Sequence, residues 1–305
     1  MEVSGAEGWL AGLFRRPSAS PTAQERIARE GMSWTEIPIG DGLKGDLFYP
    51  RGHQGGKLPV VVWLHAYTYQ YGWSIATPWA SSGAEYRLDQ RLSIPTLVKR
   101  GYAVLAFDQI GFGSRVRDAR EFYARYPKWS LMGKMVVDTR AAVDTLTAHP
   151  LVDPKRIFFL GYSLGAKVGL MATALDERVA GLAAVAGFDA LRLATPDRGT
   201  EGLRHYSHIH GLFPRLGFFL QHENRVPFDF DAALALAAPR PVLIVAPTLD
   251  RYATVADIRQ EVDAARAAFA AQGRPNNLTL QTPVDFNRFY RPLQEIGRAS
   301  CRERV

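Results

Sequence analysis

Ile157-Phe158-Phe159-Leu160-Gly161-Tyr162-Ser163-Leu164-Gly165-Ala166 is the stretch on which the fold turns. A short apolar run reads as a buried strand, a G-x-S-x-G pattern follows, and Leu164–Ala174 continues with helical spacing. The two glycines have a physical role. A sharp, strained strand-to-helix turn brings its flanks too close for side chains, and the strain presents Ser163 at the carboxyl edge of a sheet. The alternative is an ordinary serine in a turn, but strand before and helix after favour a nucleophile.

Outward from this point the pattern alternates short apolar strands with amphipathic helices, the signature of a mostly parallel sheet covered on both faces. Two strands, Ser33–Ile39 and Leu43–Tyr49, flank the turn Gly40-Asp41-Gly42 and predict an antiparallel hairpin. Strand Val60–Leu64, helix Leu92–Arg100, strand Ala103–Phe107 and helix Leu131–Ala148 lead to the serine turn. Strand Val179–Val185, strand Val242–Val245, helix Val255–Ala271 and strand Leu278–Gln281 follow it. The domain therefore runs over 32–294, behind an N-terminal extension of 1–31. Within it, 188–239 breaks the rhythm with about fifty residues between two strands, far beyond the usual connection. That excursion holds four of the seven histidines and reads as a lid, with a structural or interface role as the alternative.

Composition limits the alternatives. With 305 residues, 47% hydrophobic and 22% charged, the chain can bury a core without disulfides or metals and is neither disordered nor fibrous. No apolar run reaches the roughly 18 residues of a membrane span. The +7 charge is scattered rather than gathered in a stripe, which disfavours nucleic acid. Met1–Ser20 carries Glu2 and Glu7 and lacks the n-region and h-region of a signal peptide, so a cytoplasmic location is expected. The only cysteine, Cys301, lies in Glu295–Val305, a stretch that back-translates without mismatch to a common sequencing-adapter read. This tail is expected to be non-native and is set aside.

A serine hydroxyl needs a base, an orienting acid and donors for the oxyanion. Tyr67, at the end of His65-Ala66-Tyr67 after strand Val60–Leu64, offers one backbone N–H, with Ala66 as the alternative. Leu164, at a helix N-terminus, offers the other. His65 itself reads as structural, bonding loop backbone. Asp250, after strand Val242–Val245, reads as the acid; the alternatives are a helix N-cap or a partner of Arg251.

These residues together resemble the α/β-hydrolase superfamily over 32–294. Asp108-Gln109-Ile110-Gly111-Phe112-Gly113, Val152-Asp153-Pro154-Lys155-Arg156-Ile157 and Ala238-Pro239-Arg240-Pro241 are similar to the dienelactone hydrolase and acetyl-xylan esterase branches. The resemblance implies an α/β-hydrolase fold and an ester hydrolase with a Ser-His-Asp triad. Serine at the elbow departs from dienelactone hydrolases, whose nucleophile is Cys, and from haloalkane dehalogenases, which use Asp.

The base breaks the resemblance. In the family a His follows the last strand, yet no His occurs after Gln281, and Asp285 stands near the expected place. Three explanations are open: a lid imidazole (His208 first, then His222, then His205), a His lost at the adapter junction, or a weak or inactive relative. Tyr67, Tyr69, Tyr71, Trp73 and Trp79, with Tyr206, Phe213, Phe218 and Phe219, suit sugar rings or aromatic acyl groups, or simply seal a lid against the sheet. His208 and His210 are two apart without other ligands in a metal-binding spacing, so neither metal nor cofactor is expected. The reading is a serine carboxylic-ester hydrolase acting on small esters, an acylated carbohydrate first among them. A small-ligand-binding scaffold without turnover and a prolyl-oligopeptidase-like peptidase are the alternatives.

Overall fold

The computed structural model describes residues 27–28, 30–68, 72–73, 93–194 and 202–286. Tyr69, Tyr71, Trp79, most of the N-terminal extension and the tail at 295–305 lie outside the described residues. The strands are β1 (Met32–Gly40), β2 (Leu43–Pro50), β3 (Leu58–Leu64), β4 (Ala103–Ala106), β5 (Val152–Tyr162), β6 (Val179–Val185), β7 (Val242–Val245) and β8 (Leu278–Gln281). The helices are α1 (Ser93–Lys99), α2 (Phe122–Arg125), α3 (Leu131–Ala148), α4 (Leu164–Leu175), α5 (Phe230–Ala237) and α6 (Val255–Ala271).

The strands form one sheet in the order β1-β2-β4-β3-β5-β6-β7-β8. The first two pairings are antiparallel and the rest parallel. The hairpin reading holds. Its turn carries positive φ at Gly40, Asp41 and Gly42 (117°, 48°, 75°), a path open to glycine and tolerated by aspartate. Along β3 the period of two separates the core: Val60, Val62 and Leu64 face α3 to α6, while Val61 and Trp63 face α1 through Ile94 and Val98. Both faces are thus buried, as a parallel sheet requires.

Two elements differ from the expectation. The elbow strand begins at Val152 rather than Ile157, since Leu58 pairs with Val152 across a register shift despite the intervening Asp153-Pro154-Lys155. Helix α5 lies inside 188–239 and packs on α4 and α6 through Phe230, Leu234 and Ala237, so the end of that stretch belongs to the body of the domain. Eight Ala-rich residues bounded by Pro239 carry too little periodicity to announce a helix.

The insertion is tied down at both ends. The Asp229 carboxylate accepts from the amides of Leu191 (2.9 Å), Arg192 (2.8 Å) and Phe230 (2.9 Å), clasping its entry to its exit. Farther out, the Tyr123 hydroxyl donates to the Gly211 carbonyl and accepts from Leu131 N (3.0 Å), and Met132 N donates to Leu212 O (3.2 Å). The crossing segment, including the π-turn His205–Ile209, is therefore stitched to the start of α3.

Candidate active site

Ser163 has φ 51° and ψ −112°, a backbone conformation that costs a side-chain-bearing residue free energy. Its surroundings enforce it. A β-carbon on Gly161 would stand 2.3 Å from Gly165 O, and one on Gly187 would stand 2.4 Å from the Ala166 β-carbon. Ser163 N donates to Val185 O (2.9 Å), while Ala166 N and Lys167 N return to Ser163 O (3.0 and 3.3 Å). The side chain is half-buried at the start of α4, beside the Leu164 amide and the positive end of the helix.

The described start of the β3 loop forms a wall next to this turn. His65 is fully buried; its Nε2 accepts from Gln109 N (2.9 Å) and its Nδ1 lies 2.7 Å from Ala66 O. The proton therefore sits on Nδ1, and both ring nitrogens are engaged. Burial pushes the His65 pKa below the usual imidazole range, with the negative Asp108 opposing the shift. Asp108 accepts from Trp73 N (3.0 Å), Ser114 N (2.8 Å) and Ser114 Oγ (2.7 Å), locking the β3 loop to the β4 loop. Gly72 and Gly113 leave room for that carboxylate. Arg115 then ties this loop to α3 by donating to Asp108 O (3.2 Å) and to the buried Asp138 (2.7 Å), which Lys134 also contacts (2.7 Å).

Tyr67 stands at the end of this wall. Its ring meets Phe112 edge-on (5.8 Å between centroids), lies against His210 (4.5 Å) and has Lys167 Nζ 5.6 Å from its centroid. The same ammonium is 4.9 Å from the Tyr206 ring of the insertion.

Asp250 follows β7 on the same edge of the sheet as Ser163, two strands away. Its loop is zipped to the chain after β8 by Thr248 N to Pro283 O and Leu249 N to Asp285 O, both 2.9 Å. Its Oδ1 accepts from Tyr252 N (2.8 Å). The N-cap of α6 is Thr254, and Arg251 folds onto the Tyr252 ring. Neighbouring strands are about 4.8 Å apart, so two steps leave roughly 10 Å, room for one imidazole between a hydroxyl and a carboxylate.

The structure does not bring His208 to that gap. Its side chain is exposed, its Nδ1 bonds Ser207 Oγ (2.8 Å), and among the described residues it makes no hydrogen bond to Ser163 or Asp250. His222 is exposed as well. His210 reaches the β3 loop instead, with His205 beside it at 5.8 Å between ring centroids. His210 stood outside the ranked bases, and two further residues at this edge had not been singled out: the buried Lys167, and Asp189, a buried carboxylate just beyond β6. Lys167 had a signal, being a lone cation in an otherwise apolar helix one turn after the serine; His210 and Asp189 had none in local spacing. Among the described residues no group of three or more His, Cys, Asp or Glu side chains could hold a metal ion, and no helix is long and apolar enough to cross a membrane.

Comparison with known proteins bears on the family and the fold. The alpha/beta hydrolase family matches residues 61–296. The polyketide transferase ATR5 of Stachybotrys chlorohalonatus is 49% identical over 119 residues, 33% of this chain and 39% of that protein. The carbohydrate esterase MZ0003, from an unknown prokaryotic organism, is 30% identical over 128 residues, 41% of this chain and 30% of that protein. The chain thus spans less than half the length of these relatives. Among solved structures, a carbohydrate esterase family 15 glucuronoyl esterase from Caldicellulosiruptor kristjansonii superimposes with a TM-score of 0.66 at 17% identity, covering 95% of this chain and 88% of that one. At that identity the likeness is one of fold.

Proposed function

Since the chain belongs to the alpha/beta hydrolase family, we propose that it cleaves carboxylic esters through an acyl-enzyme on Ser163. The observation that carries this reading is the left-handed Ser163 backbone, wedged open by Gly161 and Gly165 at the sheet edge. Such strain costs stability and is found where function requires it.

The Ser163 hydroxyl oxygen attacks the ester carbonyl carbon while an imidazole takes its proton. The amides of Tyr67 and Leu164 hold the oxyanion, and the rigid His65–Asp108 wall keeps the first of them in place without reorganisation. Collapse of the tetrahedral adduct breaks the carbon–oxygen bond to the alcohol, which leaves with the imidazole's proton. Water then attacks the acyl-enzyme by the reverse sequence and releases the acid and free Ser163. Asp250 orients the imidazole. His208 headed the candidates for that base; the contact of His210 with Tyr67 favours His210, at the end of the same turn, as the base. Substrates are small esters, an acylated carbohydrate first among them, a choice supported by the carbohydrate esterase relative and the aromatic insertion.

The stretch shared with a polyketide transferase favours a second reading, in which an alcohol rather than water accepts the acyl group. One experiment covers both. Hydrolysis of p-nitrophenyl acetate with an acyl burst is expected for the wild type and absent in Ser163→Ala, and a fluorophosphonate should label only the former. Partition of the acyl group between water and an added alcohol then separates hydrolase from transferase. A wild type no faster than Ser163→Ala, and unlabelled, leaves a ligand-binding scaffold.

A further inference from the structure

We propose that Lys167 is a positioning residue, a cationic strap that ties the insertion to the oxyanion loop by holding its ammonium between the rings of Tyr67 and Tyr206. The inference rests on the esterase reading for its kinetic consequence, and on geometry alone for its structural one.

Lys167 lies one turn into α4, on the helix that begins at the nucleophile, and is 1% exposed. Its helix is otherwise apolar around it, with Ala166, Val168 and Leu170 all buried. A lysine is rarely submerged in this way, because removing the ammonium from water is costly unless other charge density replaces the lost hydration. Two aromatic faces contribute to this. Nζ is 5.6 Å from the Tyr67 centroid and 4.9 Å from that of Tyr206, both within the roughly 6 Å at which a cation gains from a ring quadrupole, and the gain is largest when desolvated.

The two rings come from parts of the chain far apart in sequence. Tyr67 lies in the loop that leaves β3, and its amide is assigned to the oxyanion. Tyr206 is buried in the π-turn of the insertion, and its carbonyl accepts from Phe213 N (2.9 Å). The same turn carries His210, which lies on Tyr67. The ammonium therefore sits where the nucleophile helix, the oxyanion loop and the insertion meet. Displacing the insertion removes one of its two rings, so that the closed insertion and an aligned Tyr67 are favoured together.

Lys167→Met keeps the length and apolar stem of the side chain and removes the charge, whereas Lys167→Arg keeps a cation able to stack on both rings. Two measurements on the full chain distinguish a strap from a space-filling side chain. With p-nitrophenyl acetate, Lys167→Met should lower kcat about tenfold or more with KM within about threefold, and Lys167→Arg should recover most of the loss. Under limited thermolysin digestion, Lys167→Met should be cut within the insertion about tenfold faster than wild type and Lys167→Arg at nearly the wild-type rate. The digestion reads the strap in a protein without turnover, while fluorophosphonate labelling of the wild type reports on the esterase reading separately. Should Lys167→Met fail to fold, Tyr206→Leu, which removes a ring, should accelerate cleavage and Tyr206→Phe, which retains it, should not. Wild-type cleavage of Lys167→Met or Tyr206→Leu, or equal acceleration in Lys167→Arg or Tyr206→Phe, overturns the strap.

Discussion

A β-carbon on Gly165 would stand 1.9 Å from the carbonyl oxygen of Leu64, so the helix that follows Ser163 and the strand end that leads to Tyr67 meet backbone to backbone. Nothing but hydrogen fits between them. Gly165→Ala must therefore push α4 away from β3, and the obstruction is main chain rather than a mobile side chain. The variant should lose more than about 3 kcal/mol of stability by denaturant unfolding, or fail to accumulate as soluble protein.

The histidines of 188–239 separate cleanly by position. His210→Ala should lower p-nitrophenyl acetate turnover more than about a hundredfold, the scale of losing a catalytic unit, while the exposed His208→Ala should stay within about threefold of wild type. The reverse order would show that the insertion rearranges to bring His208 inward during turnover.

His65 is held neutral, with its pKa pushed below the usual range by burial. A histidine with a lowered folded pKa contributes stability that is complete above its unfolded value near 6.5 and is lost as pH falls below it. The His65 contribution should therefore shrink between pH 7.5 and 5.5. His65→Ala should cost about 2 kcal/mol or more at pH 7.5, because it strands the buried Gln109 amide, and should melt with a weaker acid dependence over that interval. Thermal unfolding of both proteins at the two pH values decides it.

Glu261 behaves in the opposite sense. Burial, the carboxylates of Asp229 and Asp231, and only partial relief from Arg192 push its pKa up to about 7, although its oxygen accepts from Asp231 N. A folded pKa above the unfolded one means that the folded state holds the proton more tightly. The associated stability is present below about pH 4.5, falls as pH rises to about 7, and is flat beyond. Glu261→Gln retains the acceptor for Asp231 N and removes the titration. It should gain on wild type as pH rises, by as much as about 3 kcal/mol at pH 8, with no such gain near pH 4.5. Equal pH slopes in chemical denaturation would sink this account.

Asp138 is buried in α3 between Arg115 and Lys134, each 2.7 Å away. Asp138→Ala takes away the buried partner of Arg115, leaving it the exposed Asp118 (3.1 Å) as its carboxylate, and loosens the β4 loop's tie to α3. Removing one partner of such a pair costs about 3 to 5 kcal/mol, and the double variant Asp138→Leu with Arg115→Met should recover part of it. Urea unfolding of the single and double variants measures the difference.

Much of this molecule was legible before any coordinates, and the reason is locality. The G-x-S-x-G elbow, the Gly40-Asp41-Gly42 turn and the strands on either side are set by residues within a few positions of one another. There φ and ψ preferences and the absence of a β-carbon act directly. The order of strands and helices followed from apolar periodicity, and the place of Asp250 from that order. What the sequence could not determine depends on residues that meet across the chain. Which insertion imidazole meets Tyr67 is decided by the Asp229 clasp and the Tyr123–Gly211 bond, which tie down the described parts of the segment; His208 then turns outward and His210 lies on Tyr67. Likewise α5 is a helix because α4 and α6 bury its apolar face, and Lys167 is buried where two tyrosines from distant segments converge. Local sterics are written in neighbouring residues, whereas burial and charge compensation exist only once the chain has folded back on itself.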